Sequence, residues 1–237
     1  MSGATDPVAP AFVLCHGFMN DRRLWSRVSD DLAALGPCHF ADQRHDAALT
    51  DMAARVLADA PAEFVLIGFS MGGFVARAIH DLAPGRVTAL VQANTSARGD
   101  TPALRKRNVN LITTTREKGF HGLSSAALTK AVHPDSRDDA ELIGLLRTMA
   151  DDMGGDAFIN QLSIARADER PTLGRIACPT LVVWSRQDEL RSLEEAEELA
   201  DGIPAARLEI IEDSGHMTPL EAPAAFIGVV RGWLDET

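Results

Sequence analysis

Short apolar runs alternate with helical patterns along most of this chain. Each run spans four or five residues and is bounded by polar, Gly or Pro positions, which is typical of strands buried on both faces. Strands that alternate with helices imply crossover connections, so the pattern predicts an α/β fold with one mostly parallel sheet covered by helices on both faces. We expect strands at residues 12–15, 38–41, 64–67, 87–91, 180–184 and 208–211, and helices at 24–35, 52–57, 71–82, 193–199 and 226–234.

One stretch, residues 98–170, breaks this alternation. Its pattern is helical throughout, with apolar pairs such as Leu111-Ile112 and Leu142-Ile143. Ligands of parallel sheets bind at the carboxyl ends of the strands. We therefore expect residues 98–170 to form a helical cap, inserted after the fourth strand and lying over the strand ends. Residues 1–97 and 171–237 would then form the α/β core.

The composition excludes several classes of function. The 237 residues are 46% hydrophobic, which suffices for one large α/β domain and an insertion. The net charge of −11 argues against nucleic acid or an anionic membrane as a main partner. No apolar stretch approaches the ~20 residues that cross a bilayer. Residues 1–10 lack the basic-then-apolar order of a signal peptide, so we expect a cytoplasmic protein.

The cysteines and histidines do not indicate a bound metal. Cys15, Cys38 and Cys178 are odd in number and lie in or beside predicted strands, so we expect buried small hydrophobes rather than disulfides. His and carboxylate residues do not cluster at ligand spacing, and no Gly-rich phosphate loop occurs. The sequence therefore implies no metal and no organic cofactor.

The most informative motif is the sequence Gly-Phe-Ser-Met-Gly at residues 68–72. It directly follows a predicted strand and precedes a helical pattern, which is the context of a nucleophile elbow. Such a turn exposes the hydroxyl of Ser70 and directs the first N–H groups of the helix towards a reacting group. Without chemistry, the same sequence would be a glycine-rich turn between a strand and a helix.

A serine nucleophile needs a base, and the base needs an acid that orients it. Asp188 follows the strand at 180–184, and His216 follows the last predicted strand, which gives the chain order Ser, Asp, His. Glu189 is a neighbouring rival for the acid, and Asp213 precedes the histidine too closely to reach behind its ring. The other histidines lie in helices, strands, the presumed cap or other motifs, namely His16, His39, His45, His80, His121 and His133.

Some hydrolases carry the acid after the strand that follows the elbow. The matching residues here are Asn94 and Thr95, which do not ionise. We therefore predict Ser70, Asp188 and His216 as the catalytic residues.

The developing oxyanion also needs N–H donors. Met71, the residue after the nucleophile, can supply one from the start of its helix. The loop after the first strand begins with His16 and Gly17, and a tight turn at Gly17 would direct the N–H of Phe18 at the oxyanion. We predict backbone donors at Phe18 and Met71, with His16 bracing the loop.

With these motifs the chain resembles the α/β-hydrolase fold superfamily along nearly its whole length. The stretch from residue 52 into the elbow is similar to the small carboxylesterases that cleave pimeloyl-carrier-protein methyl ester. The resemblance implies the same three catalytic residues, the same two oxyanion donors and an acyl-enzyme route. It rests on His16-Gly17-Phe18, on GFSMGG at residues 68–73, on Cys178-Pro179-Thr180-Leu181 leading to Asp188, and on Ser214-Gly215-His216-Met217 with Pro219, Glu221 and Pro223.

The chain departs from this family in two places. Many relatives have a glycine-containing loop after the second strand, whereas residues 42–46 contain no glycine. We expect that wall of the pocket to be built differently. The chain also starts almost at its first strand, so the antiparallel edge hairpin of the full fold would be reduced and about six strands remain.

The expected substrate is a small to medium carboxylic ester. Residues 98–118 hold six basic side chains against two acidic ones, including Arg105 and Arg107. These could receive an anionic ester or an acyl-carrier protein, or could simply form the solvated face of a cap helix. Two other functions stay open: a lyase that uses the same three residues, as in the pyruvate-eliminating enzyme of menaquinone synthesis, and a receptor without catalysis.

Overall fold

The computed structural model describes residues 9–204 and 206–237. They contain one sheet of six parallel strands in the order β2-β1-β3-β4-β5-β6, which confirms the predicted α/β fold. Strand β2 lies at one edge of the sheet beside β1, and strands β3 to β6 follow in chain order on the other side of β1. The strands are β1 (Phe12–Cys15), β2 (Cys38–Phe40), β3 (Phe64–Phe69), β4 (Val87–Ala93), β5 (Thr180–Ser185) and β6 (Ala206–Ile211).

The helices of the core lie on both faces of the sheet. The predicted helix at 24–35 is divided into a 3₁₀ turn, Arg22–Trp25, and α1, because Asp21 caps the earlier turn by accepting the N–H of Arg23. The core helices are α1 (Ser29–Leu35), α2 (Leu49–Asp59), α3 (Met71–Leu82), α7 (Leu193–Gly202), α8 (Thr218–Glu221) and α9 (Pro223–Leu234). One apolar layer packs beneath α1 and α9, and the other packs beneath α2, α3 and α7.

Residues 98–170 contain three α-helices between β4 and β5. They are α4 (Pro102–Lys118), α5 (Ser125–Lys130) and α6 (Ala140–Ser163), and α6 is kinked at Gly154, where φ is 77°. The two ends of this segment meet at its base, where Glu169 N–H donates to Ala97 O at 2.8 Å and Asp100 N–H donates to Arg166 O at 3.0 Å. Treating the segment as a cap remains a prediction at this point.

The N-terminal segment, residues 1–10, lies largely outside the described residues. The predictions for this segment and for an edge hairpin before β1 therefore stay predictions. Cys15 is buried, whereas Cys38 and Cys178 are only partly buried. Across residues 9–204 and 206–237, no helix combines the length and apolar character needed to cross a membrane.

Candidate active site

The turn after β3 holds Ser70 in a strained conformation. Its φ of 52° and ψ of −114° lie in a region that residues with a side chain rarely adopt. The strand ends at Phe69 and α3 starts at Met71, so a single residue makes the whole change of direction. Ser70 N–H donates to Ala93 O at 2.9 Å, which ties the turn to the neighbouring strand.

The three predicted catalytic side chains meet at the carboxyl ends of β3, β5 and β6. His216 Nδ1 lies 2.7 Å from Asp188 Oδ2, and His216 Nε2 lies 2.9 Å from Ser70 Oγ. A carboxylate only accepts, so Nδ1 carries a proton and donates a hydrogen bond to Asp188 Oδ2. In the neutral ring Nε2 is then the acceptor for the Ser70 hydroxyl, which is the arrangement in which a histidine can take the proton of a serine.

Asp188 is held by four hydrogen bonds. Its Oδ1 accepts the N–H groups of Leu190 at 2.7 Å and Arg191 at 2.9 Å, and its Oδ2 accepts from Asn94 Nδ2 at 2.9 Å as well as from His216. Burial alone would raise the pKa of this carboxyl, but His216 and the donors outweigh burial and hold the pKa below its usual range. The group is therefore ionised at neutral pH.

Asn94, which does not ionise and was not predicted as a site residue, is in direct contact with Asp188. It follows β4 with φ at 47°, is fully buried, and also donates to Ser185 Oγ at 2.9 Å and accepts from Thr218 Oγ1 at 2.8 Å. The available signal was its position, since it follows the strand after the elbow, where some hydrolases carry their acid. Here it supports the acid instead of replacing it.

The loop that carries His216 is anchored by Glu221. This carboxylate accepts the N–H of Met217 at 3.0 Å and the N–H of His133, which belongs to the segment between β4 and β5. Burial raises the pKa of Glu221, and the N–H donors only partly oppose the increase. Met217 N–H also donates to Ala131 O at 3.1 Å, so two hydrogen bonds join this loop to residues 131–133.

The predicted oxyanion donors flank Ser70. Met71 is the first residue of α3, so its N–H has no acceptor within the helix. Within the described residues, the N–H of Phe18 donates to no backbone carbonyl or side chain, and Phe18 lines the same cavity as Ser70. His16 Nδ1–H donates to Gly17 O at 3.0 Å, and burial lowers the pKa of His16, so this ring is neutral at pH 7.

A cavity of about 520 Å³ opens above Ser70 and His216. Its wall is mostly apolar, with Leu111, Leu146 and Phe158 among the side chains that line it. Among the described residues, the lysine and arginine side chains that line it are Lys130 and Arg107, and none of the lining residues is a carboxylate. Both cations are exposed, which places them at the mouth of the cavity. Arg105 is exposed and does not line the cavity, so the structure brings one of the two predicted arginines to it.

The rivals for the acid and the base lie elsewhere. Glu189 forms an ion pair with Arg137, and His45 lies beside Asp42 at the surface. His80 is buried within α3, where burial lowers its pKa. Within the described ranges, no three His, Cys, Asp or Glu side chains are grouped so that they could hold a metal ion.

The fold is that of the α/β hydrolases. The chain belongs to the alpha/beta hydrolase family, whose sequence profile matches residues 12–229. It is 26% identical to a pimeloyl-[acyl-carrier protein] methyl ester esterase of Vibrio campbellii over 94% of this chain and 93% of the relative. It is 30% identical to 3-oxoadipate enol-lactonase 2 of Acinetobacter baylyi over 67% of this chain and 59% of that protein.

Among solved structures, a thermophilic esterase from Thermogutta terrifontis superimposes with a TM-score of 0.89. The two share 25% sequence identity over 97% of this chain and 90% of that one. The relatives therefore support ester hydrolysis as the general reaction.

Proposed function

We propose that this protein is a serine hydrolase that cleaves a carboxylic ester through an acyl-enzyme. Ser70 is the nucleophile, His216 the general base and acid, and Asp188 the carboxylate that orients the ring. The observation that carries the proposal is the unbroken hydrogen-bond chain from Ser70 Oγ through His216 to Asp188 at the floor of an apolar cavity.

The reaction would proceed in two acyl transfers. Ser70 Oγ attacks the ester carbonyl carbon while His216 Nε2 takes the hydroxyl proton. The tetrahedral intermediate expels the alcohol, which receives that proton, and leaves an acyl group on Ser70. Water then attacks the acyl carbon with His216 again as base, so that the acid is released and the serine hydroxyl is restored. The Phe18 and Met71 N–H groups would stabilise the oxyanion in both steps.

The cap proposal rests on contacts at both ends of the insertion. Residues 98–170 close on themselves through the backbone hydrogen bonds at Ala97–Glu169 and Asp100–Arg166. Residues 98–170, helices and loops together, supply most of the residues that line the cavity. We therefore propose that this cap selects the substrate while the core performs the chemistry.

The charges at the cavity mouth favour an anionic ester. Arg107 and Lys130 are cations without a carboxylate among the cavity residues, in a chain whose net charge is −11. Exposed charges interact weakly and are screened by salt, so we expect KM effects of about three- to tenfold rather than a switch in specificity. Arg105 would act only on a larger acidic partner, such as an acyl-carrier protein, that reaches past the mouth.

The first test is the Ser70→Ala variant with short p-nitrophenyl esters and a fluorophosphonate probe. Both hydrolysis and labelling should disappear. Ser163→Ala is a suitable control because this exposed hydroxyl donates to Ile159 O within its own helix. Labelling that survives in Ser70→Ala, or wild-type protein that neither labels nor hydrolyses any ester, would refute the serine hydrolase.

The second test compares monomethyl adipate with methyl hexanoate. Arg107→Gln and Lys130→Met should each raise KM for the anionic ester only, and less so at high salt. Arg105→Gln, on the same helix as Arg107 but outside the cavity, should leave both KM values unchanged. Equal effects on both esters would contradict the anionic preference.

A further inference from the structure

The glycine-free loop after β2 is one of the two places where the sequence is expected to depart from its family. Gln43 in this loop is fully buried. Its Nε2 donates to His16 O at 3.2 Å, and its own backbone carbonyl accepts from Gln161 Nε2 at 3.1 Å. The loop thus connects the segment after β1 with helix α6 of the cap.

Gln161 uses both ends of its side-chain amide in this connection. While its Nε2 donates to Gln43, its Oε1 accepts the N–H of Met19 at 2.8 Å. Gln161 is 4% exposed, and its partner Met19 belongs to a buried apolar cluster with Met153, Ala157 and Phe158 of α6. A buried polar side chain with both hydrogen-bonding ends satisfied fixes the position of its partners.

The partner it fixes is the residue next to the proposed oxyanion donor Phe18. Met19 has φ at 53°, a conformation that a residue with a side chain adopts only when its surroundings impose it. Met19 packs against Met153, Ala157 and Phe158 of α6. The ring of Phe18 lies 5.7 Å from that of Phe158. The segment 17–20 therefore depends on the cap for both its packing and its hydrogen bonding.

We propose that Gln161 is a positioning residue that holds the Met19 backbone, and through it the Phe18 N–H, in the orientation that stabilises the oxyanion. The inference rests on the proposed function. It assigns to the cap a part in transition-state stabilisation beyond forming the cavity wall. The peptide between Phe18 and Met19 can rotate once Met19 N–H loses its acceptor, and that rotation moves the segment in which the donor lies.

The test is Gln161→Met, which keeps the length of the side chain and removes both hydrogen bonds. We expect kcat for p-nitrophenyl butyrate to fall by about tenfold to 10²-fold, the range for a displaced oxyanion donor. The KM should change by less than about twofold because ground-state contacts are retained. Affinity for a trifluoromethyl ketone, whose adduct with Ser70 carries the oxyanion, should weaken in proportion to kcat. Gln43→Met removes the support one step further away and should act in the same direction with a smaller effect.

Asn160→Ala is the matched control. Asn160 is the adjacent residue on α6 and donates to Arg44 O at 3.0 Å, so it also joins α6 to the loop after β2, whereas the N–H of Met19 donates to Gln161. It should leave kcat and ketone affinity at wild-type values. A fall in kcat in Gln161→Met no larger than in this control, or a fall with unchanged ketone affinity, would overturn the proposal.

Hydrogen exchange of the peptide that contains residues 16–20 tests the positioning independently of activity. Exchange at Met19 should be faster in Gln161→Met than in wild type and unchanged in Asn160→Ala, with thermal unfolding confirming that each variant is folded. Equal exchange in all three proteins would refute the positioning role even if the esterase proposal holds. If instead the Ser70→Ala test refuted the serine hydrolase proposal, the catalytic effect of Gln161 would fall with it. The exchange measurement would then still decide whether Gln161 positions the Met19 backbone.

Discussion

The close approach of α3 to β1 leads to a sharp prediction for Gly72→Ala. Gly72 is the second residue of α3, and a Cβ built there would lie 2.6 Å from His16 O and closer still to Cys15 O. Carbon and oxygen pack at about 3.3 Å, so the helix start and the end of β1 must separate by roughly 0.7 to 1 Å. Met71 moves with the helix and Phe18 with the strand, so the distance between the two proposed oxyanion donors should grow.

The expected size follows from this separation. Overpacking of this kind costs about 1–3 kcal/mol, and the better helix propensity of alanine returns about 0.5–1 kcal/mol. The net loss of stability is therefore at most about 2.5 kcal/mol, which corresponds to a fall of up to roughly 10 °C in Tm for a chain of this size. A displacement of about 1 Å at an oxyanion donor can lower kcat by about 10²-fold. We therefore expect kcat to fall by about 10²-fold in a protein that is still folded at the assay temperature.

The assay pairs thermal unfolding with steady-state hydrolysis of p-nitrophenyl butyrate. Gly232→Ala is the control, since Gly232 lies in α9 and a methyl group on its Cα would meet nothing within 4 Å among the described residues. That variant should keep its kcat and gain up to about 1 kcal/mol of stability. If Gly72→Ala matched Gly232→Ala in both measurements, the inferred contact between α3 and β1, and the dependence of the oxyanion donors on it, would be wrong.

Three further predictions concern the acid and the thiols. Asn94→Ala removes a hydrogen-bond donor to the buried carboxylate of Asp188, and such a bond is worth about 1.5–3 kcal/mol. We therefore expect kcat to fall by about tenfold or more at unchanged KM in steady-state assays. A wild-type kcat would contradict this. The pKa of Asp188 in the folded protein lies below its unfolded value, so its ionised form stabilises the fold above about pH 4 and loses that contribution as the pH falls through the folded value. Urea unfolding between about pH 5 and pH 3 should therefore show a smaller loss of stability in Asp188→Asn than in wild type, and equal losses would count against the assignment. Burial raises the pKa of Cys15 to about 12. Iodoacetamide at about pH 8 should therefore alkylate the partly buried Cys38 and Cys178 first in the native protein. Peptide mass spectrometry reads the order of modification, and early modification of Cys15 would contradict its burial.

The fold was predictable from the sequence because its signals are local. An apolar run such as 64–67 with Gly68 and Ser70 directly behind it identifies both a buried strand and its turn into a helix. The errors lie at element ends, where β3, β4 and β5 continue through Phe69, Ala93 and Ser185. Gly68, Gln92 and Ser185 are not strand-forming by composition, and hydrogen bonding to neighbouring strands extends the ladder over them.

The partners of the site residues could not be predicted because they depend on where distant segments meet. Asn94 contacts Asp188 across 94 residues of chain, and Gln161 contacts Met19 across 142. Neither pair leaves a pattern in one sequence. The basic residues show a second limit: Arg105 and Arg107 are two positions apart on α4, and only the rotation of that helix against the core decides which one reaches the cavity.

The proposed site has three parts, which are Asp188, the loop that carries His216 and the oxyanion segment at residues 17–20, and different contacts hold each of them. Among the described residues, the hydrogen-bond partners of Asp188 are Asn94, Leu190, Arg191 and His216, all of which lie outside residues 98–170. The loop that carries His216 is joined to residues 131–133 of the proposed cap, and the proposed oxyanion segment at residues 17–20 is joined to Gln161. A cap that only covered the cavity could be exchanged to change substrate preference at no cost to the chemistry. In this protein such an exchange would remove hydrogen-bond partners from the His216 loop and from residues 17–20. Substrate preference and turnover would therefore change together unless those cap contacts are kept.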